Sequence, residues 1–259
     1  MRTIPGSTRA PACTSRRPRR LLTTIGERPR LLLTIFSAFI PLSLLSQTNP
    51  VVPPPTNASP AISPAVGTEL FNGKDFTGWT FCMSKNADPM RTWSVTNGVI
   101  HCTGQPTGYI RTEKQYRDYA LSVEWRFLKV APKLDNTGVL LHIQKPDNVW
   151  PRCIQVQGKH DNQGDLFLMM GAESKEHRGL DANTPLPKRG PANEKPVGQW
   201  DTVLSLCSGD TVTAYVNGKL INETTQCTIT SGFIGIQSEG GDMEIRKTTL
   251  EPLPTPGNP

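Results

Sequence analysis

The chain contains no Cys-x-x-Cys pair, no basic stripe interleaved with aromatics and no stretch of capped helical periodicity. Each absence removes a class of function. Without paired thiolates at metal spacing, a zinc ribbon or finger has no support. Six cysteines occur, and Cys13 belongs to an N-terminal leader. That leaves Cys82, Cys102, Cys153, Cys207 and Cys227, an odd number that cannot all pair within one chain. Cys82–Cys102 and Cys207–Cys227 are conceivable disulfides, but spacing alone does not give connectivity. Small buried thiols on strands are the favoured reading.

A formal charge of +6 would suggest a nucleic-acid partner, but its distribution argues against one. Residues 1–47 hold eight arginines and one acid, Glu27, whereas the rest of the chain has 20 basic and 21 acidic residues. The basic character belongs to the leader, and a nearly neutral body without a basic face is not a nucleic-acid binder. Within the leader, Arg16, Arg17, Arg19 and Arg20 precede Leu31–Leu45, LLLTIFSAFIPLSLL, an apolar run broken by Pro41. It is short for a membrane span and suits the apolar region of a secretory signal. Residues 1–47 are therefore expected to be a signal peptide or an uncleaved N-terminal anchor. Either way the body is exported: periplasmic, secreted or tethered to a membrane. Residues 48–66 are rich in Pro, Ser and Ala and should form a semi-rigid linker. The folded domain then runs over residues 67–253, and residues 254–259 form a disordered tail.

What the body does have is strand signals. Thr96-Asn97-Gly98 and Asn217-Gly218 each stand between short β-type runs, and Asn-Gly accepts positive φ at both turn positions of a hairpin. Tyr119–Leu128 alternates, with Leu121, Val123, Trp125 and Phe127 on one face and Ala120, Ser122, Glu124 and Arg126 on the other. Val139–Gln144, Cys153–Gln157, Leu166–Met170, Asp201–Leu206, Phe233–Gln237 and Met243–Leu250 read as further strands. About a dozen strands in one domain predict an all-β sandwich of two antiparallel sheets. Residues 172–198 are polar, contain four prolines and are long for a loop. Such a segment either closes over one end of a groove or is a surface insertion.

Alternation also selects candidate site residues. Leu140, His142 and Gln144 should share a face, as should Cys153, Gln155 and Gln157. With Gln237, Glu239, Glu244 and Arg246 on the late strands, they suggest a wet sheet surface. Such a surface suits sugar hydroxyls, with Trp150 stacking on a ring. Each residue taken singly is more often an ordinary solvated side chain. Arg246 has a structural alternative, an ion pair with Glu244 or Glu124. His160-Asp161 and Asp165 could hold a divalent metal, although that spacing is common in loops.

The opening phrase Glu69–Trp79, ELFNGKDFTGW, resembles the start of the 3-keto-disaccharide hydrolase domain family. The resemblance continues in order through NGVIHCTG, GYIRTEKQYRDYALSVEWRF, NTGVLLHI, WPRCIQVQG, GQWDTV, VTAYVNGKLIN and GFIGIQSEGGDMEIRKTTLEPL. It implies a concanavalin A-like jelly roll and an exported enzyme acting on 3-keto-glycosides, an oxidised disaccharide or related glycoside. Gln155 stands where the family phrase commonly has an acid. The implied chemistry is removal of the acidified C2 proton, loss of the C1 substituent and return of water. It needs a base and a partner for the enolate oxygen. His142 or Glu239 is the expected base, with Arg246 steadying charge. Gln155, Gln157, Gln237, Trp150 and Lys159 are expected to hold substrate. A non-catalytic glycan-binding module is the rival reading, and a tethered interaction domain the third.

Overall fold

The computed structural model describes residues 59–129, 136–181 and 183–254. The expected signal or anchor, residues 48–58 of the linker and residues 255–259 lie outside the described residues. In chain order the strands begin with β1 Thr68–Glu69, β2 Trp79–Met83, β3 Trp93–Thr96, β4 Val99–Cys102, β5 Gly108–Tyr116, β6 Tyr119–Phe127 and β7 Gly138–Ile143. They continue with β8 Cys153–Gln157, β9 Leu166–Met169, β10 Asp201–Ser208, β11 Thr211–Val216, β12 Lys219–Thr224, β13 Gly232–Ser238 and β14 Met243–Pro252. One sheet has the order β2-β5-β13-β7-β8-β9. The other runs β12-β11-β10-β6-β14-β4-β3, with β1 added beside β14. All the ladders are antiparallel, and the result is the all-β, concanavalin A-like jelly-roll sandwich expected from the sequence.

The sandwich forms because alternate residues of both sheets are apolar. Leu121, Val123 and Trp125 of β6 meet Leu141 of β7, Ile154 and Val156 of β8 and Ile236 of β13 in one buried cluster. Full burial of each such side chain contributes about 1.5–3 kcal/mol. The Asn-Gly turns are present: Asn97 and Asn217 adopt φ of 54° and 48° between β3 and β4 and between β11 and β12. The opening phrase is folded around Asn72, whose Oδ1 accepts from the backbone N–H groups of Lys74 and Asp75, and Trp79 Nε1 donates to Leu70 O at 3.0 Å. Just before the domain, Ile62 lies along the end of β5, where it donates to Gln115 O and accepts from Arg117 N.

One expectation needs correction: His142 does not share a face with Leu140. A bulge in the β13–β7 ladder and a φ of 55° at His142 reset the alternation there. The imidazole turns into the interior against Tyr119, while Leu140 packs with Tyr109, Ile143, Cys153 and Phe233 on the outer face of the six-stranded sheet. That outer face is therefore partly apolar rather than uniformly wet. β2 and β5, which are not among the strand signals above, complete this sheet, and β5 carries Arg111, Glu113 and Lys114. The favoured reading of the cysteines holds: Cys82, Cys102, Cys153, Cys207 and Cys227 are all free thiols, with Cys82 only part-buried. Cys82 and Cys102 stand on different sheets, and burial raises the pKa of Cys102, Cys207 and Cys227 to about 12.

The segment over residues 172–198 is bonded along its length. Leu186 exchanges backbone hydrogen bonds with Leu166 of β9 at 2.8 and 2.9 Å. Arg189 N donates to Ile221 O, and Glu176 accepts from Thr224 and Thr225. The segment thus ties the β9 border of one sheet to β11–β12 of the other.

Candidate functional site

Antiparallel register brings distant residues to one end of the six-stranded sheet. The C-terminal end of β13, the start of β7 and the C-terminal end of β8 lie side by side, because Ile236 pairs with Val139 and Gly138 with Gln157. Glu239 follows β13, Asn136 precedes β7 and Lys159 follows β8. These three and Trp150, Gln155, Gln157, Phe167, Met169, Met170 and Asn183 line a cleft of about 420 Å³. Its size is within the range of small-molecule sites.

The floor is an amide network. Gln155 Nε2 donates to Gln157 Oε1 at 3.0 Å and to Gln237 Oε1 at 3.2 Å, and the backbone N–H of Gly158 donates to Gln157 Oε1 at 3.1 Å. All three glutamines are buried. Buried amides are tolerated when they are partnered in this way. Gly138 makes the arrangement possible, since a Cβ there would meet Gln155 Nε2 at 2.6 Å.

Glu239 is the carboxylate of the cleft. Asn136 Nδ2 donates to its Oε2 at 2.6 Å. Burial pushes the Glu239 pKa above the usual carboxylate value, and the charge of Lys159 pulls in the opposite direction. A half-buried carboxyl with a raised pKa beside an ammonium is a chemical pair: a proton acceptor and a cation within one cavity. Asn136 Oδ1 is buried without a partner among the described residues.

A second charged cluster holds the β7–β8 connection that carries Trp150. Arg111 of β5 grips Asp147 through Nε at 2.9 Å and Nη2 at 2.8 Å, and Lys145 also bonds Asp147. Burial raises the Asp147 pKa, but the bonds from Arg111 and Lys145 outweigh it and hold the carboxyl below its ordinary value. Arg111 and Lys145 both lie over the Phe233 ring.

Six of the eight sequence candidates thus gather: Glu239, Gln155, Gln157, Trp150 and Lys159 line the cleft, and Gln237 braces its floor. Two do not. His142 is buried on the interior side of the sheet, with Nδ1 3.3 Å from Ile229 O, and burial lowers its pKa to about 4. Arg246 stands on the outer face of the eight-stranded sheet. It donates to Glu124 Oε2 at 2.6 Å and stacks on Trp200, as Arg126 does. The structural pairing open to Arg246 from sequence is the one formed.

The metal grouping changes membership. His160 and Asp161 meet Glu194, not Asp165, with ligand atoms within 4.8 Å of one another. Glu194 already accepts from the N–H groups of Asp161 and Gln163 and contacts His160 Nδ1 at 3.0 Å. It clamps the turn after Lys159. Asp165 instead accepts from Lys188 N.

Sequence reasoning missed Asn136, Phe167, Met169, Met170 and Asn183. Phe167 and Met169 alternate on β9 and were accessible to the period-2 argument that found the glutamines. Asn136 carries no periodic signal, because it precedes its strand.

Solved structures share this fold at low identity. A Parabacteroides distasonis protein assigned as a glycosyl hydrolase is 21% identical over 73% of this chain and 94% of its own, with a TM-score of 0.54. The carbohydrate recognition domain of Emp46p in its potassium-bound form is 12% identical over 71% and 94%, with a TM-score of 0.52. The Bacillus licheniformis β-glucanase is 15% identical over 72% and 97%, with a TM-score of 0.50. At these identities the likeness is one of fold, and this fold hosts both recognition and hydrolysis. No curated protein sequence matches the chain. The family profile is more specific, because it runs from the opening phrase through the cleft-lining strands to β14. By that match over residues 67–251, the chain belongs to the 3-keto-alpha-glucoside-1,2-lyase-like domain family.

Proposed function

We propose that the cleft removes the C2 proton of a 3-keto-glycoside and so releases the C1 substituent. The observation that carries this reading is Glu239: a carboxyl made more basic by burial, held by Asn136 and placed in one cavity with Lys159. The ketone at C3 acidifies the C2–H bond. Glu239 takes that proton, and the electron pair passes through an enolate whose oxygen faces a cation. The enolate then collapses, the C1–O bond breaks, and the departing oxygen leaves with a proton. Water adding at C1, with a proton returned to C2, makes the net change a hydrolysis. Lys159 is the cation the residues supply for the enolate oxygen. Gln155, Gln157 and Gln237 orient the sugar hydroxyls, and Trp150 stacks on a ring carried by the C1 substituent.

The test is release of reducing sugar from a panel of 3-keto-glycosides by the full-length protein, with and without a chelator. Turnover that Glu239→Gln abolishes supports the reading, and chelator sensitivity would add a divalent metal to Lys159. No turnover by folded protein overturns it. The second reading, a glycan-binding module without chemistry, is favoured by one observation. Gln155, where the family phrase carries an acid, spends its amide on Gln157 and Gln237. Binding of polysaccharide without turnover would support that reading. On either reading we propose that the leader at residues 1–47 exports the domain, which cell fractionation tests.

A further inference from the structure

The cleft changes character along the strand axis. At the C-terminal end of β8 its walls are Asn136, Gln157, Lys159 and Glu239. At the opposite end they are Trp150, Met169 and Met170. The register fixes this gradient: Gly138 pairs with Gln157 at one end of β8, and Met169 pairs with Cys153 at the other, four residues or about 13 Å away. Cys153 Sγ lies 3.6 Å from Met169 Sδ, which seats that thioether against the sheet. Phe167 pairs with Gln155 between the two ends.

The apolar end is also exposed. Met170 is 59% and Trp150 40% exposed, both high for residues whose burial would be favourable. Met170 adopts φ of 50°, a left-handed conformation uncommon outside glycine and asparagine, and so presents its side chain at the lip of the cleft. Thioethers and carbon rings offer contact area and adaptable packing, and the single hydrogen-bonding group that Trp150 adds is its indole N–H. A second sugar placed there would surrender hydration of its hydroxyls with few partners in return.

We infer that the leaving-group side of the cleft takes an aromatic or otherwise apolar aglycone rather than a second sugar. This rests on the proposed lyase reading, with the oxidised ring at the Glu239 end. The glycosides processed are then those of aromatic alcohols and phenols, and the product released alongside the 3-keto sugar is the apolar alcohol.

The experiment compares kcat/KM of the full-length protein on the 3-keto forms of benzyl glucoside and of a glucosyl-glucose disaccharide, each in both anomers. A sugar hydroxyl is at least as acidic as benzyl alcohol, so faster benzyl turnover cannot come from the leaving group. The expected result is a preference of about tenfold or more for the benzyl substrate. Met170→Gln and Met169→Gln should remove most of that preference by lowering the benzyl value several-fold more than the disaccharide value. A preference for the disaccharide, or variants that lower both values equally, overturns the inference and leaves the lyase reading standing. If neither substrate is turned over, the lyase reading falls. Tryptophan-fluorescence titration with benzyl glucoside and the disaccharide then decides the subsite: tighter benzyl binding supports it, and tighter disaccharide binding or no binding overturns it.

Discussion

Gln155 lies directly over Gly138, so close that a Cβ on residue 138 would stand 2.6 Å from its amide nitrogen. The contact is with a flexible side chain, from its amide back to Cγ at 2.9 Å, and Gly138 is not among the residues with positive φ. Gly138→Ala should therefore fold, with Gln155 displaced from Gln157 and Gln237. The expected stability loss is about 1–3 kcal/mol, the net worth of two displaced buried hydrogen bonds. The larger effect should be on KM for 3-keto-glycosides, raised several-fold with kcat less affected. Unchanged KM would mean that the amide floor does not touch substrate.

Glu239 should show opposed effects on activity and stability. Its folded pKa is raised above the ordinary carboxylate value by burial. A carboxyl with that sign favours the folded state when protonated, and the benefit is lost as pH rises through the folded pKa. At neutral pH the charged form is thus a net cost, and Glu239→Gln should melt at the same temperature as wild type or higher. The same substitution should lower kcat by about 10²–10⁴-fold, the usual worth of a positioned base. Lys159→Gln removes the charge that lowers the Glu239 pKa, so the acid limb of the kcat/KM profile should move to higher pH. A limb that stays in place would separate Lys159 from Glu239.

His142 should govern stability rather than turnover. Its folded pKa is about 4 against an ordinary 6.5, so the unfolded chain binds the extra proton between those values. Stability then falls as pH drops from 6.5 toward 4, by on the order of 3 kcal/mol across the window. Urea midpoints for wild type at pH 7 and pH 5 should differ, and His142→Phe should shrink the difference. A profile unaltered by that substitution would assign the pH dependence to other groups.

Arg246 offers a sharp contrast with Glu239. Its pairing with Glu124 is part-exposed, on the sheet opposite the cleft. Arg246→Ala should keep kcat and KM within about twofold and cost no more than about 1 kcal/mol, because solvent screens such pairs. A hundredfold loss of kcat in a folded variant would return Arg246 to the chemistry.

The legible part of this molecule was whatever short-range physics dictates. Asn97-Gly98 and Asn217-Gly218 fix hairpins through positive φ, and the alternation of Leu121, Val123, Trp125 and Phe127 fixes the buried face of β6. What escaped depended on distant partners. β5 is not among the strand signals, and its Arg111 finds its partner only in Asp147, 36 residues on. The His142 bulge has no local signal, since nothing in GVLLHI demands a positive φ at the histidine. Alternation marks the three glutamines and Glu239 as polar groups of a wet sheet surface, without their relative positions. Their gathering at one sheet end came from register, which a sequence without turn constraints between β7, β8 and β13 does not specify.

The bond exchange between Leu166 and Leu186 has a bearing on solubility. β9 is the outermost strand of the cleft-bearing sheet, and an outermost strand is where a foreign chain can add itself by backbone pairing. At Leu166 that place is already taken by the molecule's own loop, whose prolines at 185 and 187 bring no N–H to recruit a further strand. At that position the connection leaves no free backbone edge to which a neighbouring molecule's strand could add.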